Sequence, residues 1–411
     1  MKILIATDYY FPSIGGVSTA VRQMTQGLAQ RGHDVRLLAP SPSWRFYEEK
    51  KAGVTIYRIR SLPLDISLNN LRYSPPFLHR SAVRKIISAF QPDIVHIHVP
   101  HLIPYTAFSI AKSMGIPVVA TAHTLPENVS AILPLPKPMG MIVGNLYVKQ
   151  IVGLYNHCDL VISPTEVGVN ILKANGLQAP VMAMSNGIDL SRFEKRITET
   201  KKTVLAEKLH LPSRQIALYT GRLDKEKHLE TIVRALPYLH TNCHVIIAGE
   251  GKQKDQLVAE AEKLGVSDKI TFVGFVRENQ LLTIYRLAKV FLMPSTAELQ
   301  CLSAMEAMAS ELPVIAANAK ALPYLVKNGE NGYLFTPLHP KSLAEKLDAL
   351  LSDKKLQKEM GKKGKLFIQK HALPKVMMEL ESHYLAILEK RKKIFSKQPV
   401  LSTYPVNFFN E

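Results

Sequence analysis

Short runs of aliphatic and β-branched residues alternate with longer amphipathic stretches almost from the first residue, and few folds accommodate that alternation. KILIAT reads as a buried strand, DYYFPSIGGV as a loop, and STAVRQMTQGLAQRG as an amphipathic helix capped by Ser18 and ended near Gly32. HDVRLLAP, VTIYRI, DIVHIH, PVVATAH and DLVISP read as further strands, with SAVRKIISAF and TAFSIAKSMG as helices among them. Strands apolar on both faces and separated by helices pair in parallel under two helical layers. The expected class is therefore α/β, with doubly wound parallel sheets.

After NGIDLSRF the rhythm starts again. QIALYTG, CHVIIAG, KITFVG, VFLMPS and PVIAA read as strands, with helices between them. The polar segment EKRITETKK reads as the junction. At 411 residues the chain exceeds one ordinary core. Two Rossmann-like domains are expected, 1–190 and 191–375, then a helix at 376–395 and a loosely held tail at 396–411. In such sheets ligands lie outside the carboxyl ends of the strands, and the chemically informative segments all fall there.

Gly15 and Gly16 separate a strand from a helix start, where bare backbone can approach a phosphate; a tight turn explains them equally well. The pattern is not GxGxxG, which disfavours a nicotinamide cofactor. Arg222 and Lys227 in GRLDKEK suit a diphosphate, one as a planar fork and one as a point charge, or are simply solvated. AGEG places Gly249 and Gly251 at another strand end, and TAHT places His123 at one in the first domain, as a structural or a catalytic residue. STAELQCLSAMEAMAS holds Glu298 and Glu306 eight residues apart. In a continuous helix that is about 12 Å along the axis, beyond the roughly 5–9.5 Å of an acid pair flanking one glycosidic bond. The two acids suit the two hydroxyl-rich ends of an extended ligand with a phosphate between them.

Cys158, Cys243 and Cys301 have neither metal-site nor disulfide spacing, which fits a reducing compartment. MKILIATDYY is too short an apolar run for a signal peptide, and no uncharged run is long enough to span a membrane. The formal charge of +18 is spread over both halves and favours anionic partners. No RNA-binding aromatic motif, zinc finger or basic helix pair accompanies it, so nucleic acid is not the expected partner.

GGV, GHDV, PDIVHIH, NGID, GRLDKEK, GEG, FVGF, the paired-glutamate stretch and VKNGENGYLF, in this order, resemble the GT-B glycosyltransferases of the large retaining family 4, over residues 1 to about 390. The resemblance implies a nucleotide-sugar held by the second domain and an acceptor held by the first. It implies Glu306 on the ribose, Glu298 on the donor sugar, and Arg222 and Lys227 on the departing diphosphate. The Gly16 backbone would help at the phosphate, Gly249, Gly251, Gln300, Cys301 and Leu302 would help hold the donor, and His123 would orient sugar or acceptor. It implies neither a metal nor another cofactor, and a terminal helix that crosses back to the first domain. Cys301, Glu311 and Tyr324 depart from the family pattern, Cys301 and Glu311 at positions where glycine is usual.

Gln300 in ELQCL resembles the ETQGL branch, in which diacylglycerol glucosyltransferases are common. A lipid acceptor is expected, with an anionic membrane as partner and a cytoplasmic enzyme peripheral at the inner face of the cell membrane. The segment from Val129 to Leu154 suits shallow insertion, or is a buried helix–loop–helix. Val83, Ile86, Ile87 and Phe90 form a stripe beside Arg80, Arg84 and Lys85, which also describes an ordinary packed helix. Lysines 354, 355, 358, 362, 363 and 365 are a candidate contact for an anionic leaflet.

Overall fold

The computed structural model describes residues 1–13, 15–63, 72–132 and 135–397. In its first half the strands are β1 (Lys2–Thr7), β2 (Asp34–Pro40), β3 (Tyr47–Lys51), β4 (Val54–Ile59), β5 (Leu62–Pro63), β6 (Arg72–Tyr73), β7 (Ile94–His98), β8 (Val118–Thr121), β9 (Leu160–Ser163) and β10 (Val181–Ala183). Those of the second half are β11 (Gln215–Thr220), β12 (Cys243–Ala248), β13 (Ile270–Gly274), β14 (Val290–Met293), β15 (Val314–Ala317) and β16 (Gly332–Phe335). The first sheet has the order β10-β9-β8-β7-β1-β2-β4-β3 and the second β13-β12-β11-β14-β15-β16, with β5 and β6 forming a small separate hairpin. Within the two large sheets every pairing is parallel except β3 on β4. The α/β class and its two doubly wound units follow directly from this topology.

Two local expectations need correcting. The first helix runs Gly16–Gln30, so Ser18 lies buried in its first turn; Gly15 occupies the N-cap and no side chain caps the helix. β3, YEEKK, is a charged antiparallel edge strand. Paired on one side only, it needs neither an apolar run nor an apolar alternation, and the sequence pattern does not mark it.

The first sheet separates two cores. Helices Pro76–Phe90, Ile103–Ser113 and Lys137–Tyr155 cover one face, packing on residues such as Leu4, Val95 and Val118. The helix Gly16–Gln30 and the terminal helix Leu373–Lys397 cover the other, where Leu373, Val376, Met377, Leu380 and Tyr384 join Ile3, Ile5, Val21 and Leu28. A Cβ at Gly27 would lie 2.8 Å from Met377 Cγ, so this glycine sets how closely the two helices approach. The terminal helix thus crosses back onto the first domain as the resemblance implies. Of the expected tail, residues 396 and 397 continue this helix, and 398–411 lie outside the described residues.

The chain leaves the first domain through residues 184–190 and returns beside them: Ile188 N donates to His371 O at 2.9 Å and Leu373 N to Ile188 O at 2.9 Å. Among the described residues no helix is long and apolar enough to cross a membrane. Each sheet has one switch point, between β1 and β7 in the first and between β11 and β14 in the second. The loops leaving β1, β11 and β14 carry Gly15, Arg222, Lys227, Glu298 and Gln300, while His123 follows β8 and Gly249 and Gly251 follow β12, each one strand out from a switch point.

Candidate active site

The loop after β11 is held by the loop after β12. Leu223 N donates to Glu250 O at 2.9 Å, and Gln253 N donates to Leu223 O at 2.9 Å. Gly249 has φ +150, and a Cβ there would fall 1.8 Å from Gly221 O; one at Gly251 would fall 2.4 Å from Leu223 O. Close backbone packing therefore accounts for both glycines, and it fixes the loop that carries Arg222. Arg222 itself forks between two acids the sequence reading passed over: Nη1 pairs with Asp224, and Nη2 meets Glu226 Oε1 at 3.0 Å. Their spacing from Arg222, two and four residues within GRLDKEK, was the available signal.

Lys227 ends the turn Lys225–Lys227 and places Nζ 2.6 Å from Glu298 Oε1. Burial opposes its ammonium, but the Glu298 carboxylate outweighs burial and holds the lysine above its ordinary range. Glu298 lies in the loop after β14, and the helix Leu302–Ala309 starts only beyond it, so the two glutamates do not share one continuous helix. Cys301 is the buried N-cap of that helix, its thiol pushed up to about 12, chiefly by burial. Leu302 opens the helix, and Glu306 lies just over one turn further in. Glu306 Oε2 accepts from Tyr285 OH at 3.0 Å, and the same hydroxyl lies 2.7 Å from Thr220 Oγ1 at the end of β11. Burial raises the pKa of the Glu306 carboxyl. Both acids are half-buried and anchored, and neither turns outward.

The Gln300 side chain makes a contact that the sequence pattern does not announce. Its amide NH2 donates to Ser185 Oγ at 2.7 Å and its carbonyl oxygen accepts from Asn186 N at 2.9 Å, so its side chain joins the two domains. Thr165 Oγ1 donates to Leu299 O at 2.8 Å, and Leu125, Ala297 and Leu299 form a small apolar cluster. The Glu298 loop is therefore clamped to the first domain two residues beyond His123.

At Gly15 and Gly16 a Cβ would meet no atom of the described residues within 4 Å, so packing against them does not explain these glycines. His123 lies half-buried beyond β8, its Nε2 2.9 Å from His98 Nδ1. The His98 ring stacks on His96 at 4.6 Å and on His123 at 5.2 Å. His96 in turn meets Tyr384 of the terminal helix and Thr121. Burial holds His123 down to about 4 and His96 to about 3, so the column is neutral at neutral pH. His98 Nε2 is buried with no hydrogen-bond partner among the described residues. A buried orphan N–H is rarer than a bare acceptor, which assigns the His98 proton to Nδ1, donating to His123. His123 then carries its own proton on Nδ1.

The sequence reading also missed Asp8. This buried carboxylate accepts from Leu102 N at 2.8 Å and Ile103 N at 3.2 Å, closing the start of the helix Ile103–Ser113. Burial pushes its pKa up to about 7. Beside it Tyr9 lies 5.9 Å from the His101 ring, and His101 Nε2 meets Tyr147 OH.

The lysine run lies elsewhere. Lys354 and Lys358 line a cavity of about 890 Å³ with Arg214, Thr241, Lys289 and Pro313, at the amino ends of the second sheet's strands and away from the switch points. Among the described residues no three His, Cys, Asp or Glu side chains form a metal-ligand group.

Residues 14–192 match the family described as Glycosyltransferase Family 4, and residues 201–367 match Glycosyl transferases group 1. The alpha-monoglucosyldiacylglycerol synthase of Acholeplasma laidlawii is 27% identical over 417 residues, covering 97% of this chain and 100% of that one. The glycogen synthase of Mycobacterium tuberculosis is 28% identical over 381 residues, 86% of each chain. The solved structure of HepE from Anabaena with UDP-glucose has a TM-score of 0.75 at 17% identity, covering 94% of this chain and 100% of that one, which is a likeness of fold. With both halves matched in order and the two-domain fold shared, the chain belongs to the family 4 GT-B glycosyltransferases and is a glycosyltransferase.

Proposed function

We propose that the protein moves a hexose, with retention of configuration, from a nucleotide-sugar to a membrane lipid such as diacylglycerol. The Lys227–Glu298 pair carries the reading: one cation for the diphosphate and one carboxylate for the sugar, held 2.6 Å apart at a switch point. Glu306 takes the ribose hydroxyls. Arg222 leaves Asp224 and Glu226 for the phosphates, and backbone N–H groups at Gly16 and at Cys301–Leu302 assist. The acceptor oxygen bonds to the anomeric carbon as the bond to the diphosphate breaks, and the departing oxygen takes the hydroxyl proton. His123 Nδ1–H orients the sugar or the acceptor. Because side-chain and backbone groups supply the positive charge, no metal or other cofactor enters, and chelation with EDTA leaves the rate unchanged.

The lipid acceptor draws support from the diacylglycerol glucosyl relative and from Gln300, and it places the enzyme peripherally at the inner face of the cell membrane. A glycan, a lipid-linked oligosaccharide or a small soluble acceptor is the second reading, supported by the glycogen synthase relative. A screen of labelled UDP-, GDP- and ADP-sugars against a lipid extract and soluble glycans separates them. Free nucleoside diphosphate and labelled lipid, formed together and only with lipid present, are expected. Label entering soluble glycan alone overturns the lipid reading.

A further inference from the structure

The helix Lys137–Tyr155 is mostly apolar, interrupted only by Lys137, Asn145, Lys149 and Gln150, a composition that belongs to helices enclosed on most sides. Here the enclosure is partial. Val148, Ile151, Val152 and Tyr155 enter the core over the first sheet. Gly140 and Gly144 receive the short helix Pro126–Ile132, and a Cβ at Gly144 would lie 2.4 Å from Pro126 O. The remaining side presents Met139, Ile142, Val143 and Leu146 at 54, 60, 39 and 60% exposure, spaced as one helical stripe. Phe77 and Tyr105 stand exposed in the first turns of the two helices that share this layer. Helices following parallel strands start at the strands' carboxyl ends, so these residues gather at the end of the first domain that carries the site. An apolar surface of this extent marks an interaction face.

Charge indicates the partner. Between Ile66 and Cys158 the sequence has two acids, Asp93 and Glu127, against seven lysines and arginines. Asp93 accepts from Lys2 N, and Glu127 pairs with Lys320. Arg80, Arg84 and Lys149 are exposed. Two copies meeting through this face would oppose the same cations, whereas an anionic bilayer complements them. The helix also borders the chemistry: Tyr147 meets His101, which faces Tyr9, and Tyr9 lies within the field of Arg222.

We infer that the bare side of the helix Lys137–Tyr155 docks in the headgroup layer of an anionic bilayer, laying the open end of the cleft against the membrane. The inference rests on the lipid-acceptor reading for its purpose, and the contact itself needs no donor or acceptor.

The test is co-sedimentation of the full chain, without donor, on vesicles of phosphatidylcholine alone and with 30% phosphatidylglycerol, a working composition of about one anionic lipid in three. Binding to the anionic vesicles that weakens with salt is expected. The double variant Ile142→Glu, Leu146→Glu should bind at least about tenfold less, since a charge replaces each inserted side chain, with unchanged Tm and unchanged acceptor-independent donor hydrolysis. Failure of the parent protein to bind at low salt overturns the inference. So does a double variant that binds as well as the parent, or one that changes only self-association in sedimentation velocity. Should docking fail while detergent-dispersed lipid is still labelled, the surface is wrong and the lipid acceptor stands. Docking retained while label enters soluble glycan alone gives the converse.

Discussion

Lys227 and Arg222 are both cations at the second switch point, yet their surroundings differ. Lys227 is half-buried against one carboxylate, while Arg222 is more open and divides itself between two. On the proposed reading a diphosphate would displace Asp224 and Glu226 to reach Arg222, and would meet Lys227 beside Glu298. Arg222→Gln and Lys227→Gln should each lower kcat about 10²-fold, the effect of roughly 3 kcal/mol at the transition state, measured by nucleotide release. Asp8 gives a pH dependence. Its pKa rises from 3.8 to about 7 on burial, so between those values the folded chain holds the proton more tightly than the unfolded chain. Stability then falls as pH rises from about 4 towards 7 and levels off above it. Asp8→Asn should flatten that part of the profile of Tm against pH. If His123 orients the sugar or acceptor as proposed, His98 acts through it: His98→Leu should lower kcat about tenfold, the scale of one lost hydrogen bond, and shift the pH profile. His98→Asn, which keeps a donor near the Nδ1 position, should recover part of the rate. Glu298, Glu306 and Lys227 were legible in sequence because a short motif carries each of them. Asp8 and His98 were not, because their partners lie 94 and 25 residues away. The signal that existed for His98 was HIH, which sets two histidines on one face of a strand.

The loops after β11 and β12 form one unit, joined backbone to backbone. Gly249→Ala places a methyl group against Gly221 O at a φ that L-residues rarely adopt. The expected cost is about 1–3 kcal/mol of local strain, seen as a lowered Tm and, because the Arg222 loop shifts, a raised KM for the donor. An exposed glycine such as Gly265, with φ +64 and no contact within 4 Å among the described residues, is the control for backbone strain without a clash. At this scale most strands could be read from the sequence, since a strand buried on both faces has to be written in aliphatic residues. β3 escaped because an edge strand has no such obligation. The helix Lys137–Tyr155 left two outcomes open, since an apolar composition says that a surface will be covered without saying by what.

Across the whole molecule, the terminal helix belongs to the second half by sequence and to the first domain by contact. Leu373, Val376, Met377, Leu380 and Tyr384 are buried beneath the first sheet, at about 1.5–3 kcal/mol each. A chain ending at residue 372 retains every candidate site residue, yet its first domain should unfold separately at lower temperature, visible as a second transition in calorimetry. Full-length protein should show the two domains melting with greater coupling. The same arrangement orders events at the ribosome. The half made first waits, with one face of its sheet covered only by the helix Gly16–Gln30, until nearly all of the second half has been translated, so the nascent chain needs the rest of that face shielded for most of its synthesis.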